Sequence, residues 1–78
     1  MLKADGFDGA VIGTALLWGT EGNDVLVYSA EACINILIER DGMDYEEAVE
    51  FFEFNVTGAY MGKQTPIFVY TDTEDLDL

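Results

Sequence analysis

The groups most able to do chemistry in this 78-residue chain are sixteen Asp and Glu carboxylates and one thiol, with no histidine anywhere. Two carboxylates can act as acid and base on a glycosidic bond, but only across a cleft and with one pKa raised. The densest group, Glu46, Glu47, Glu50 and Glu53, has helical spacing and would line a convex surface instead. Cys33 lies in an apolar run. A nucleophilic thiol needs a base beside it, and without histidine Cys33 reads as a small core residue. A lone cysteine also excludes an intrachain disulfide. Asp72, Glu74, Asp75 and Asp77 resemble a calcium loop only loosely, because the glycine and the distal glutamate are missing. Gly6-Phe7-Asp8-Gly9 and Gly58-Ala59-Tyr60-Met61-Gly62 lack the lysine and the strand-to-helix setting of a phosphate loop. No catalytic residue, cofactor site or metal centre is therefore expected.

Binding remains. At ~100° per residue, Glu46, Glu50 and Glu53 share one side of a helix, with Thr57 continuing the row. Glu46 and Glu50 stand ~6 Å apart along the axis, and Glu50 and Glu53 ~4.5 Å. Such a row is either a solvated surface or a comb for Arg and Lys side chains on a partner. Glu47, Phe51, Phe54 and Gly58 form a neighbouring stripe, and Phe54 falls ~180° from Tyr45. A small domain has little material to cover both sides of one helix. Either that helix is wrapped, or Phe51 and Phe54 serve an interface, where aromatic anchors are favoured. The candidate partner-binding residues are thus Glu46, Glu47, Glu50, Glu53, Phe51 and Phe54.

The elements that must position these residues are legible. Ala10–Trp18 is apolar and partly β-branched and reads as a strand, with Gly13 at a bulge or close contact. Gly19–Asp24 is a turn by composition, and Val25–Tyr28 a second strand, paired antiparallel. Ser29 is an N-cap for a helix running to Arg40 and stopped by Gly42. Its apolar face is Ala30, Cys33, Ile34, Leu37 and Ile38, opposed by the polar stripe Glu31, Asn35, Glu39; Ile36 lies off that face. Asp44 and Glu47 form a capping box for a second helix. Its core stripe is Tyr45, Ala48, Val49, Phe52, Val56 and Ala59, reaching Tyr60 or Met61. The short connection makes the helices a hairpin. Thr65-Pro66 forces extended backbone before a third strand, Ile67–Tyr70, with a place beside the first strand open to it but not fixed by the sequence. The tail, residues 72–78, reads as disordered through like-charge repulsion.

The predicted class is α+β: a three-stranded, mostly antiparallel sheet with a helical hairpin on one face, in the order β-β-α-α-β. Residues 1–71 form one domain. Half the residues are hydrophobic and 13% aromatic, too apolar for a disordered chain. Lys3, Arg40 and Lys63 oppose sixteen acidic residues, leaving a formal net charge of −13. That balance disfavours direct contact with nucleic acid or an anionic membrane, and favours a basic protein partner. No leader-like segment or membrane-spanning run is visible, and a cytoplasmic setting is expected.

Asp41-Gly42-Met43-Asp44-Tyr45-Glu46-Glu47-Ala48, Phe54–Tyr60 and Thr65-Pro66-Ile67-Phe68, with the opening Phe7–Gly13, resemble small proteins of unassigned function encoded by bacterial viruses and prophages. The likeness spans about residues 7–69. It implies a host-cytoplasm setting during infection and transfers no catalytic residue. In that setting the expected role is a non-enzymatic inhibitor of a basic host protein, of the anti-restriction or anti-CRISPR type, acting by DNA mimicry. The other expectation is a homo-oligomeric assembly protein joined through Phe51 and Phe54.

Overall fold

The computed structural model describes residues 2–16, 24–58, 62 and 65–71. A short 3₁₀ turn, Asp8–Ala10, leads into β1 (Val11–Leu16), followed by β2 (Asp24–Ser29), α1 (Ala30–Asp41), α2 (Tyr45–Phe51) and β3 (Ile67–Val69). The fold is α+β, with the order β-β-α-α-β and a three-stranded sheet in the spatial order β1-β2-β3. Residues 17–23, which hold the end of the expected first strand and all of the expected turn Gly19–Asp24 but its last residue, and the tail 72–78 lie outside the described residues; Asp24 itself opens β2.

β1 and β2 pair antiparallel, as two strands joined by a short connection do. The register passes from Val11 opposite Tyr28 to Gly13 opposite Val27, so Ile12 is the extra residue of a β-bulge. A Cβ at Gly13 would meet nothing within 4 Å, so the irregularity expected there is the bulge and not a close contact. β3 does not lie beside β1. It pairs with β2, in parallel, with Ile67 opposite Val27 and Phe68 opposite Tyr28. The helical hairpin accounts for this: it is long enough to return the chain for a parallel crossover onto its own preceding strand.

Ser29 ends β2 and caps α1 at once, its Oγ accepting the Ala32 N–H at 3.1 Å. Gly42 closes α1 in the left-handed conformation (φ 70°), its N–H reaching the Ile38 and Leu37 carbonyls. The capping box opens α2: the Asp44 carboxylate accepts the Glu47 N–H at 2.8 Å, and Glu47 accepts the Asp44 N–H at 3.5 Å.

The second helix departs from its expected course. After Phe51 it widens into a π-helical turn, Phe52–Val56, closed by the Thr57 N–H on the Phe52 carbonyl at 3.0 Å. The regular helix therefore does not run through Gly58, and Ala59, Tyr60 and Met61 lie outside the described residues. At Gly58 the backbone passes so close that a Cβ would stand 2.9 Å from the Phe54 carbonyl oxygen.

The core lies between the hairpin and one face of the sheet. Phe7, Ala10, Tyr28, Ala30, Cys33, Ile34, Leu37, Ala48 and Phe52 are buried together, with Leu26, Val49, Val56 and Phe68 packed against them. Three rings knit sheet to helix. Phe68 lies 5.3 Å from Tyr28 and edge-on to Phe52 at 5.4 Å, centroid to centroid. The Tyr28 hydroxyl accepts the Ala4 N–H at 2.9 Å, tying the N-terminal loop to β2. Ile36, expected off the apolar face of α1, is half-buried against this core. Tyr45, expected at the head of the α2 core stripe, is 67% exposed. The first turn of α2 projects past the small core, and burial starts one turn later at Ala48.

Candidate partner-binding face

The outward side of α2 is set by what its inward side buries. Ala48 and Phe52 are buried and Val49 and Val56 half-buried, which turns Glu46, Glu47, Glu50, Glu53, Phe51 and Phe54 to solvent. Phe54 is 72% exposed and Phe51 39%, so this helix is not wrapped on both sides. The capping box anchors its first turn and the π-helical turn shapes its last, where Glu53 and Phe54 emerge. Single π-turns inside helices recur at functional positions because they re-aim the side chains that follow.

Four of the six predicted residues meet in one place. Glu47, Glu50, Phe51 and Phe54, with Met43 and Asn55, line a shallow depression of about 320 Å³. Two carboxylates and two phenyl rings in one hollow suit a cation with a flat or aliphatic body, above all an arginine, which bonds carboxylates and stacks on rings. Glu46 and Glu53 are exposed but do not line this hollow. Here the structure adds a residue that sequence reasoning assigned only to a strand. Tyr70, just past β3, is brought near Glu53, Tyr45 and Glu31. Its phenol is held above the ordinary tyrosine range, first by partial burial and then by the negative charge of Glu53, with Tyr45 and Glu31 adding to it. A signal for Tyr70 was present, since it lies two residues after the inward Phe68 and so falls on the helix side of the strand. Glu31 holds the chain there, its carboxylate accepting the Thr71 N–H at 3.0 Å.

The face thus carries exposed carboxylates with the exposed rings of Phe51 and Phe54 in the hollow and the exposed Tyr45 at the start of the helix. Among the described residues the cations are engaged elsewhere. Arg40 donates to Asp41 from Nε and Nη2, both at 3.0 Å, and to the Gly6 carbonyl at 2.7 Å, and it lies over the Phe7 ring. This bond raises the Arg40 pKa and lowers that of Asp41. Lys3 lines a separate, more apolar cleft with Phe7, Val56, Pro66 and Phe68, and Lys63 lies outside the described residues.

The remaining chemical groups have structural settings. Cys33 is fully buried, and burial pushes its thiol up to about 11, so the neutral form dominates at ordinary pH. Among the described residues no cluster of His, Cys, Asp and Glu is disposed to hold a metal ion, and no helix is long and apolar enough to cross a membrane. Comparison with protein-family models, with curated proteins and with solved structures found no match for this chain.

Proposed function

We propose that this chain is a non-enzymatic binding module whose α2 face docks onto a basic surface of another protein. The observation that carries the reading is the exposed carboxylates Glu46, Glu50 and Glu53 beside exposed rings, with Arg40 engaged by Asp41 instead. Carboxylates held this way repel each other in the free protein, by a few tenths of a kcal/mol per pair. A cationic partner relieves that repulsion on binding. A net charge of −13 would also steer such a partner and speed its encounter. Phe51 and Phe54 would supply the anchors and the carboxylates the orientation.

Surfaces that bind nucleic acid are basic by necessity, because they must neutralise phosphates. A nucleic-acid-binding enzyme of a bacterial host is therefore the target class that fits best. The chain would occlude it by presenting carboxylates where phosphates are expected, which also agrees with the likeness to phage-encoded proteins. The test is affinity capture from bacterial lysate with wild type and the Glu46→Lys/Glu50→Lys/Glu53→Lys variant, washed at low and high salt. A basic nucleic-acid enzyme held by wild type, released by salt and missed by the variant is the expected result. Equal capture by a variant with unchanged far-UV circular dichroism would sink the proposal.

A further inference from the structure

We propose that the outer edge of β1 is a self-association surface, at which a second copy of this chain adds its own β1 antiparallel and makes one continuous sheet of three strands from each copy. Among the described residues β1 is an end strand of the sheet and pairs with β2 alone. An end strand presents a row of free N–H and C=O groups that another strand can satisfy, and proteins usually blunt such edges with Lys, Pro, inward charges or shortness. Val11-Ile12-Gly13-Thr14-Ala15-Leu16 has no charge and no proline. Its bulge sits at the start, so Gly13 to Leu16 run in regular register. Its apolar side chains are left uncovered, Ile12 at 54% and Leu16 at 79% exposure.

Charge identifies the occupant. Each copy carries −13, so two copies repel wherever carboxylates meet. The longest stretch of the chain without a charged residue is 9–20, and β1 lies inside it. Both end strands are uncharged, but β1 runs for six residues against three in β3, so it offers two copies the longer approach without setting carboxylate against carboxylate. An uncharged edge, conversely, offers nothing to draw a cationic partner, which the carboxylates of α2 would attract instead. A two-fold axis through Thr14 completes the match. It sets Thr14 opposite Thr14, a pair of the kind that stabilises antiparallel strands, with Gly13 opposite Ala15 within the regular part of the strand. Thr14 faces Leu26 across the β1–β2 ladder, and Leu26 packs on the core. Thr14 and Leu16 therefore stand on the helix side of the sheet, beyond the reach of the helices. In the dimer they would floor an apolar groove between the two helical layers.

The experiment is sedimentation equilibrium of the full chain over a range of concentrations, at low and high salt. The expected result is a mass rising from one chain to two, with association strengthened by salt, because salt screens the repulsion between copies. Thr14→Glu sets two carboxylates opposite each other and should weaken association about tenfold or more. A mass of one chain throughout would overturn the proposal. So would a dimer indifferent to Thr14→Glu but broken by Phe54→Asp, which would place the contact on α2. If Thr14→Glu impairs folding, amide exchange of wild type decides: protection along β1 should rise with concentration, and its failure to do so refutes the edge pairing.

Discussion

The outward face of α2 and the outer edge of β1 are both open to solvent, and they are built in opposite ways. α2 is fastened from beneath by Ala48 and Phe52, both fully buried, and displays charge and rings above. β1 carries no charge, is largely exposed, and offers backbone and aliphatic surface. The first suits a partner unlike itself, because its field repels its own copy and attracts cations. The second suits a partner like itself. Ionic strength separates them, since salt weakens the first kind of contact and strengthens the second. Under the two proposals, one small acidic domain would keep an attractive and a self-complementary surface distinct by confining charge to one of them.

The largest effect should come from removing the fastening of α2. Phe52→Ala deletes a ring packed against Phe68 and should lower stability by about 3–5 kcal/mol in chemical denaturation. Leu16→Ala, on exposed β1, should change it by no more than about 0.5 kcal/mol. Comparable losses would mean that β1 is as much part of the core as α2. Next in size, the triple glutamate-to-lysine reversal should weaken capture of a basic partner about a hundredfold or more, read by titration calorimetry at low salt. The same variant should fold at least as well as wild type, because like-charge crowding is relieved.

Asp44→Ala, which removes the cap of α2, should reduce stability by about 1 kcal/mol. Partner affinity should fall with it, as the first turn bearing Glu46 and Glu47 frays, whereas association through β1 should not change. The smallest effect concerns Tyr70. Its raised pKa means that the neutral phenol favours the folded state at and below the ordinary tyrosine range. That contribution is lost as pH rises through the raised value. In Glu53→Gln the phenol should ionise at lower pH than in wild type, by ultraviolet titration. An unchanged titration would show that Glu53 does not approach Tyr70, and would remove Tyr70 from the α2 face.

Much of the framework was legible because it rests on local chemistry. Ser29, Gly42 and the pair Asp44 and Glu47 cap as their types dictate, since each satisfies backbone groups a few residues away. The Ala30, Cys33, Ile34 and Leu37 face of α1 and the Ala48, Phe52 and Val56 stripe followed from periodicity, whereas the burial of Ile36 did not. Tyr45 did not, because a helical stripe says which residues share a side and not how far the core extends along it. The π-helical turn was invisible for a related reason: Phe52–Val56 is compatible with an ordinary helix, and only packing and the close passage at Gly58 select the wider turn. Of the candidate face, all six residues were named from spacing, but Tyr45 and Tyr70 joined it only in three dimensions.

By itself, then, the sequence determined the α+β class, the element order, the caps, and the concentration of charge on α2 and its absence from β1. These depend on residue type and on spacing within an element, where the forces act over a few residues. The tertiary structure alone decided that β3 lies against β2 in parallel, that β1 is left as an uncharged edge, and that Glu47, Glu50, Phe51 and Phe54 close on one hollow. Those outcomes depend on how far a finite core reaches and on which contacts between distant segments it can satisfy together, and no local pattern encodes that competition.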